Sequence, residues 1–117
     1  MATFQKKSLD TPEETRRLPK TVVDVVNLGD YAAMKTTFEP GWRWSECVKP
    51  QAGTESCQTQ HFGYVMSGRM HIRMDDGTED EVGPGDVVLI MPGHDAWVVG
   101  DEPYVGLDFQ GAKLYAK

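Results

Sequence analysis

A chain of 117 residues, 39% hydrophobic and 26% charged, has the size and composition of one globular domain rather than a disordered or fibrous segment. Its net charge of -6 excludes the Lys/Arg footprint that a nucleic-acid partner needs, because the basic residues are scattered apart from Lys6, Lys7, Arg16, Arg17 and Lys20. No apolar run has the length of a membrane span and Met1 to Asp10 lacks a signal-peptide core, so the expectation is a cytoplasmic protein without a membrane partner.

The first predicted element is a short helix. Asp10 or Thr11 serves as its N-cap, Pro12 occupies the first turn, and Glu13 and Glu14 lie toward the positive end of the dipole. It runs to Leu18 and stops at Pro19, with the basic cluster on a solvated face. Residues 1–20 thus read as an arm and residues 21–117 as the folded domain.

Strands follow. Thr21 to Leu28 is rich in β-branched residues and ends at Gly29-Asp30, and Tyr31 to Phe38 closes at Pro40-Gly41. "WRWSECV" is predicted as a strand with Trp42, Trp44 and Glu46 on one face and Arg43, Ser45 and Cys47 on the other. Residues 50–60 are polar and irregular. "HFGYVMSG" is a strand closed by Ser67-Gly68. In "RMHIRM", Met70, Ile72 and Met74 share one face, and His71 lies on the other, at the surface. Asp76-Gly77 predicts a hairpin to "TEDEVG", and Pro84-Gly85 turns into "DVVLIM", read as a buried strand. "AWVVG", "YVGLDF" and "KLYA" complete the set. Met34, Met66, Met70, Met74 and Met91 are read as core filler.

Short strands separated by turn signals at intervals of about ten residues predict an all-β sandwich or barrel. The chain has no nucleophile elbow, phosphate loop or His-Glu-x-x-His, and its two cysteines, Cys47 and Cys57, form no Cys-x-x-Cys. A nucleophilic Cys57 activated by His61 is conceivable and would need an imidazolium within hydrogen-bond reach of the thiolate.

Two segments resemble the motifs of the cupin superfamily. Gly85-Asp86, the strand after it and Met91-Pro92-Gly93 resemble the second motif, with Met91 where proline is usual. The histidine of that motif would fall at Ala96, and His94 stands two residues earlier. In the first motif, Gly41 is followed after five residues by Cys47-Val48-Lys49 in place of His-x-His. His61 then stands in place of the glutamate, and Gly68 closes the motif. The resemblance implies an all-β double-stranded β-helix, the jelly-roll or cupin barrel, here with a short N-terminal helix.

The resemblance also implies a site at the barrel mouth. His61, His94, Cys57 and Cys47 are its candidate metal ligands, and nitrogen and sulfur donors suit a divalent transition metal such as zinc or iron. Trp42, Trp44, Tyr64, Trp97 and Phe109 are candidates for the wall of a small-molecule pocket. Three functions stay open. The chain could be a metal-dependent isomerase, lyase or dioxygenase, a ligand-binding or sensor cupin without metal, or a scaffold in which His61 is an ordinary buried histidine and the cysteines are apolar filler. The family also implies a homodimer.

Overall fold

In the computed structural model, residues 3–111 and Tyr115 are described. The strands are β1 (Glu14–Leu18), β2 (Thr21–Leu28), β3 (Tyr31–Phe38), β4 (His61–Ser67), β5 (Arg69–Met74), β6 (Glu79–Val82), β7 (Val87–Ile90), β8 (His94–Val99) and β9 (Tyr104–Asp108). They form a six-stranded sheet of order β1-β2-β3-β9-β4-β7 and a three-stranded sheet of order β6-β5-β8. Every pairing is antiparallel. The last strand, β9, inserts between β3 and β4, with Met34 opposite Asp108 and Tyr64 opposite Leu107. Strands distant in sequence thereby share one sheet, and the fold is the all-β double-stranded β-helix that the resemblance implied.

Strand alternation fills the space between the sheets. Val23, Val25, Met34, Phe38 and Val65 enter from the larger sheet, and Met70, Ile72, Ala96 and Val98 from the smaller. Phe38 stacks on Trp42 with centroids 3.8 Å apart and planes at 6°. Burying each such side chain is worth about 1.5–3 kcal/mol. Gly63 marks the tightest approach in the larger sheet, since a Cβ there would lie 1.7 Å from the Leu107 carbonyl oxygen.

The N-terminal helix is a correction: Glu14–Leu18 is strand β1, paired with β2 from Glu14↔Val25 to Leu18↔Thr21. The caps at Asp10 and Thr11 are local signals, and they lose to the hydrogen-bonding edge that β2 offers. Lys20, at φ 55°, makes the tight reversal, and Arg16 turns inward, its Nη1 donating to the Tyr115 carbonyl oxygen at 2.7 Å.

"WRWSECV" is not a strand either. Arg43 makes one bridge to Trp97, after which the chain coils into α1 (Trp44–Cys47) and α2 (Lys49–Ala52). Asp95 Oδ1 accepts from the Ser45 N–H at 3.1 Å and meets one of the orphan donors at the start of α1. In β7 only Val88 and Ile90 turn toward the core, while Val87 and Leu89 are exposed. Met66 and Met91 are also exposed, so only part of the methionine set fills the core. The "KLYA" strand falls, Tyr115 apart, outside the described residues.

Candidate functional site

Three segments bring their side chains to one place. His61 opens β4 opposite Ile90 of β7, and His94 opens β8 opposite Met74 of β5. Cys57 lies in the connector before β4 and is bridged to His94: the Cys57 N–H donates to the His94 carbonyl oxygen at 2.7 Å, and the Gly93 N–H to that of Cys57 at 2.7 Å. Gly93, at φ 95°, gives the sharp turn that brings His94 into this register. The Cys57, His61 and His94 donor atoms lie within 4.8 Å of one another. Cys57 Sγ is 3.7 Å from His61 Nε2, and the two imidazole centroids are 5.3 Å apart.

Each imidazole is held from behind. His94 Nδ1–H donates to the Met91 carbonyl oxygen at 2.8 Å, which leaves Nε2 as the ring nitrogen available to the cluster. His61 Nδ1 meets Asp108 Oδ2. Asp108 Oδ1 accepts the backbone N–H groups of Gln110 at 2.8 Å and Gly111 at 3.0 Å. Gly111 has no room for a side chain, because a Cβ would stand 2.8 Å from Asp108 Oδ2 and 3.0 Å from His61 Nδ1.

Charge follows from this packing. Burial pushes the Cys57 thiol up, but hydrogen bonds from His61 and His94 and their charge prevail and hold it at about 6. Burial pushes His61 down, but its bonds to Asp108 and Cys57 prevail and raise it to about 9. Burial also opposes ionisation of Asp108, yet His61 and the backbone donors keep it below the usual carboxylate range. Free of metal, the site is a thiolate beside an imidazolium backed by a carboxylate.

The donors fit a transition metal. Tetrahedral zinc, with bonds of about 2.3 Å to sulfur and 2.0–2.1 Å to nitrogen, separates those two donors by about 3.6 Å. The Cys57–His61 separation matches that value. One thiolate and two imidazoles, each imidazole with an outer partner, suit zinc or another late transition metal better than magnesium or calcium.

A cavity of about 50 Å³ adjoins these groups, walled by Trp42, Trp44, Ile90 and Tyr104, with His61, His94 and Asp108 at its polar edge. Of the aromatic residues expected there, Trp42 and Trp44 line it and three do not. Tyr64 lies on the outward register of β4 and is exposed, as is Phe109. Trp97 stacks between His71, at 4.7 Å, and the Arg43 guanidinium, at 4.2 Å. Cys47 is buried in α1 and lies outside the Cys57–His61–His94 group, because the helical turns replace the extended chain that would have carried it inward. His71 stays near the surface and meets Glu79 at 2.8 Å. Sequence reasoning missed Asp108. Its signal is an acidic residue in step with Tyr104 and Gly106 on the inward register of an apolar strand.

No family model matches this chain, and no curated protein does. Solved structures do. A protein of unknown function from Rhizobium leguminosarum is 17% identical, with a TM-score of 0.63 over 93% of this chain and 97% of that one. An uncharacterised Klebsiella pneumoniae protein with a double-stranded beta-helix domain is 18% identical, with a TM-score of 0.59 over 95% and 93%. A cupin-like protein from Thermotoga maritima is 18% identical, with a TM-score of 0.55 over 80% and 69%. At such identities the likeness speaks for architecture, and in architecture the chain is a double-stranded β-helix, like the cupin-like and double-stranded beta-helix proteins it resembles.

Proposed function

We propose that this chain is a metal-binding cupin that takes a small organic molecule in its barrel, with Cys57, His61 and His94 as the metal ligands. The observation that carries the reading is the outer partner on each imidazole, Asp108 behind His61 and the Met91 carbonyl behind His94. Such partners fix ring orientation and tautomer, as they do around metal-bound histidines. Three protein ligands leave a position for water or substrate, which is the pattern of catalytic rather than structural zinc. Zinc or iron bound there would act as a Lewis acid on a substrate oxygen. The chain's own part is to hold the molecule's carbon skeleton against apolar walls, to exclude bulk water with Trp42 and Trp44, and to keep Asp108 ionised behind His61. Turnover would be isomerase, lyase or dioxygenase chemistry.

Metal analysis of protein purified without a nickel column tests the reading. About one zinc or iron per chain is expected, lost in His61→Ala and Cys57→Ala and retained in Cys47→Ala. A trace content that His61→Ala leaves unchanged would remove the metal site. The alternative, a non-catalytic ligand-binding or sensor cupin without metal, draws on the apolar cavity walls alone.

Homodimerisation belongs to the same reading. Phe62 with Leu89 and Tyr64 with Val87 are cross-strand pairs on the outer face of β4 and β7, all exposed, and β7 is the last strand of its sheet. An apolar patch beside an open sheet edge is the kind of surface that a second copy covers.

A further inference from the structure

The wall of the cavity carries an indole N–H with nothing to donate to. Trp44 is 2% exposed, and its indole Nε1–H has no hydrogen-bond partner among the described residues. Several other polar groups around the cavity are met. Trp42 Nε1 donates to Thr21 Oγ1 at 2.9 Å, the imidazoles have the partners given above, and Thr36 Oγ1 reaches the Gly106 carbonyl oxygen at 3.5 Å. Leaving a buried donor unmet is costly, so such a group is met by water or a ligand when the protein works. Indole donates and cannot accept, so what satisfies it must offer a lone pair.

We infer that Trp44 Nε1–H is the group that recognises the bound molecule, donating to a carbonyl or carboxylate oxygen of a small oxo compound. The inference rests on the reading of this cavity as a ligand site and narrows it. An acceptor-free hydrocarbon would leave the indole unmet, and an ammonium group would face it donor to donor. Size narrows the class further. A water needs roughly 10–15 Å³ of such space, so about 50 Å³ holds a few waters or a compound of a few heavy atoms. The apolar walls suit a short carbon skeleton, and the polar edge at His61 and His94 suits a second oxygen.

Indole NMR of the full chain as purified, labelled with ¹⁵N, tests this. The chain has three tryptophans and so three indole N–H signals, and that of Trp44 is identified by its loss in Trp44→Phe. The probes are acetate, pyruvate and xenon. Pyruvate or acetate is expected to move the Trp44 signal saturably and to leave that of Trp42, already bonded to Thr21, in place. Trp44→Phe should weaken the acid tenfold or more without weakening xenon binding, since the smaller ring only enlarges the apolar space. A Trp44 signal unmoved by both acids, or a cavity that takes xenon alone, overturns the inference, and the measurement on the unmutated chain holds even if Trp44→Phe fails to fold. Metal content measured on the same samples separates the readings. Bound metal with a silent Trp44 signal defeats only the inference, and a responsive signal without metal defeats only the metal site.

Discussion

Cys57 and His94 stand side by side because their backbones are hydrogen-bonded, with the Cys57 N–H on the His94 carbonyl oxygen at 2.7 Å. The register depends on Gly93, whose φ of 95° a side chain would strain and where a Cβ would come within 2.9 Å of Asp75 Oδ2. Gly93→Ala is therefore expected to cost about 1–2 kcal/mol of stability and to weaken metal binding as well. Gly77→Ala is the control: its φ is 92°, nothing lies within 4 Å, and it sits at the β5–β6 hairpin. It should cost comparable stability and leave metal affinity unchanged. Denaturant titration and chelator competition on both variants measure the two effects.

Asp108 is not one of the proposed metal ligands, yet it fixes the ring of His61. Asp108→Asn keeps the shape and removes the charge. Metal affinity should fall about 10- to 100-fold, as it does when an outer partner of a ligating histidine is lost. Competition with a chelator of known affinity measures this, and an unchanged affinity would leave Asp108 with a folding role only.

The turns made the barrel legible. Gly41, Gly68, Gly77, Gly85 and Gly93 each punctuate the sequence, and each sits at positive φ between elements. His61 and His94 were legible as candidates because the resemblance sets them at or near motif ligand positions, His61 at a strand start and His94 just past a strand end. Which cysteine joins them was not, since that depends on the isolated bridge between Cys57 and His94, a pairing across 37 positions that no local pattern encodes. The strand predicted at "WRWSECV" misled for a related reason. Alternation in "WRWSECV" is as good as in a true strand, but contact with Asp95 draws the segment into a helical turn. At Glu14–Leu18, helix caps were outweighed by a strand edge that the sequence there does not reveal.

The pH dependence of the metal-free protein follows from two opposed titrations. His61 is raised from 6.5 to about 9 on folding, so its contribution is full below pH 6.5 and is lost as pH rises through 9. Cys57 is lowered from 9 to about 6, so its contribution is full above pH 9 and is lost as pH falls through 6. Between these limits the slopes oppose, and the stability of the native sequence should be nearly flat. Cys57→Ser removes the second slope. Its stability should then fall from pH 6.5 to pH 9, by at most about 1.4 kcal/mol per pH unit. Urea midpoints at the two pH values decide it, and a flat profile in the variant would contradict the charge assignment to His61.

Leu89 is 60% exposed and pairs outward with Phe62. If that face joins two copies, Leu89→Asp should yield a monomer by sedimentation while shifting melting temperature little, because an exposed position outside the core bears small stability effects. A monomer before mutation would end the dimer proposal.

Cobalt(II) titration of the metal-free protein tests the central claim most directly. Coordination by Cys57, His61 and His94 predicts an intense thiolate-to-cobalt charge-transfer band in the near ultraviolet, saturating at one equivalent per chain. The band should vanish in Cys57→Ser and persist in Cys47→Ser. A spectrum without that band, or one that Cys57→Ser leaves intact, would contradict the account.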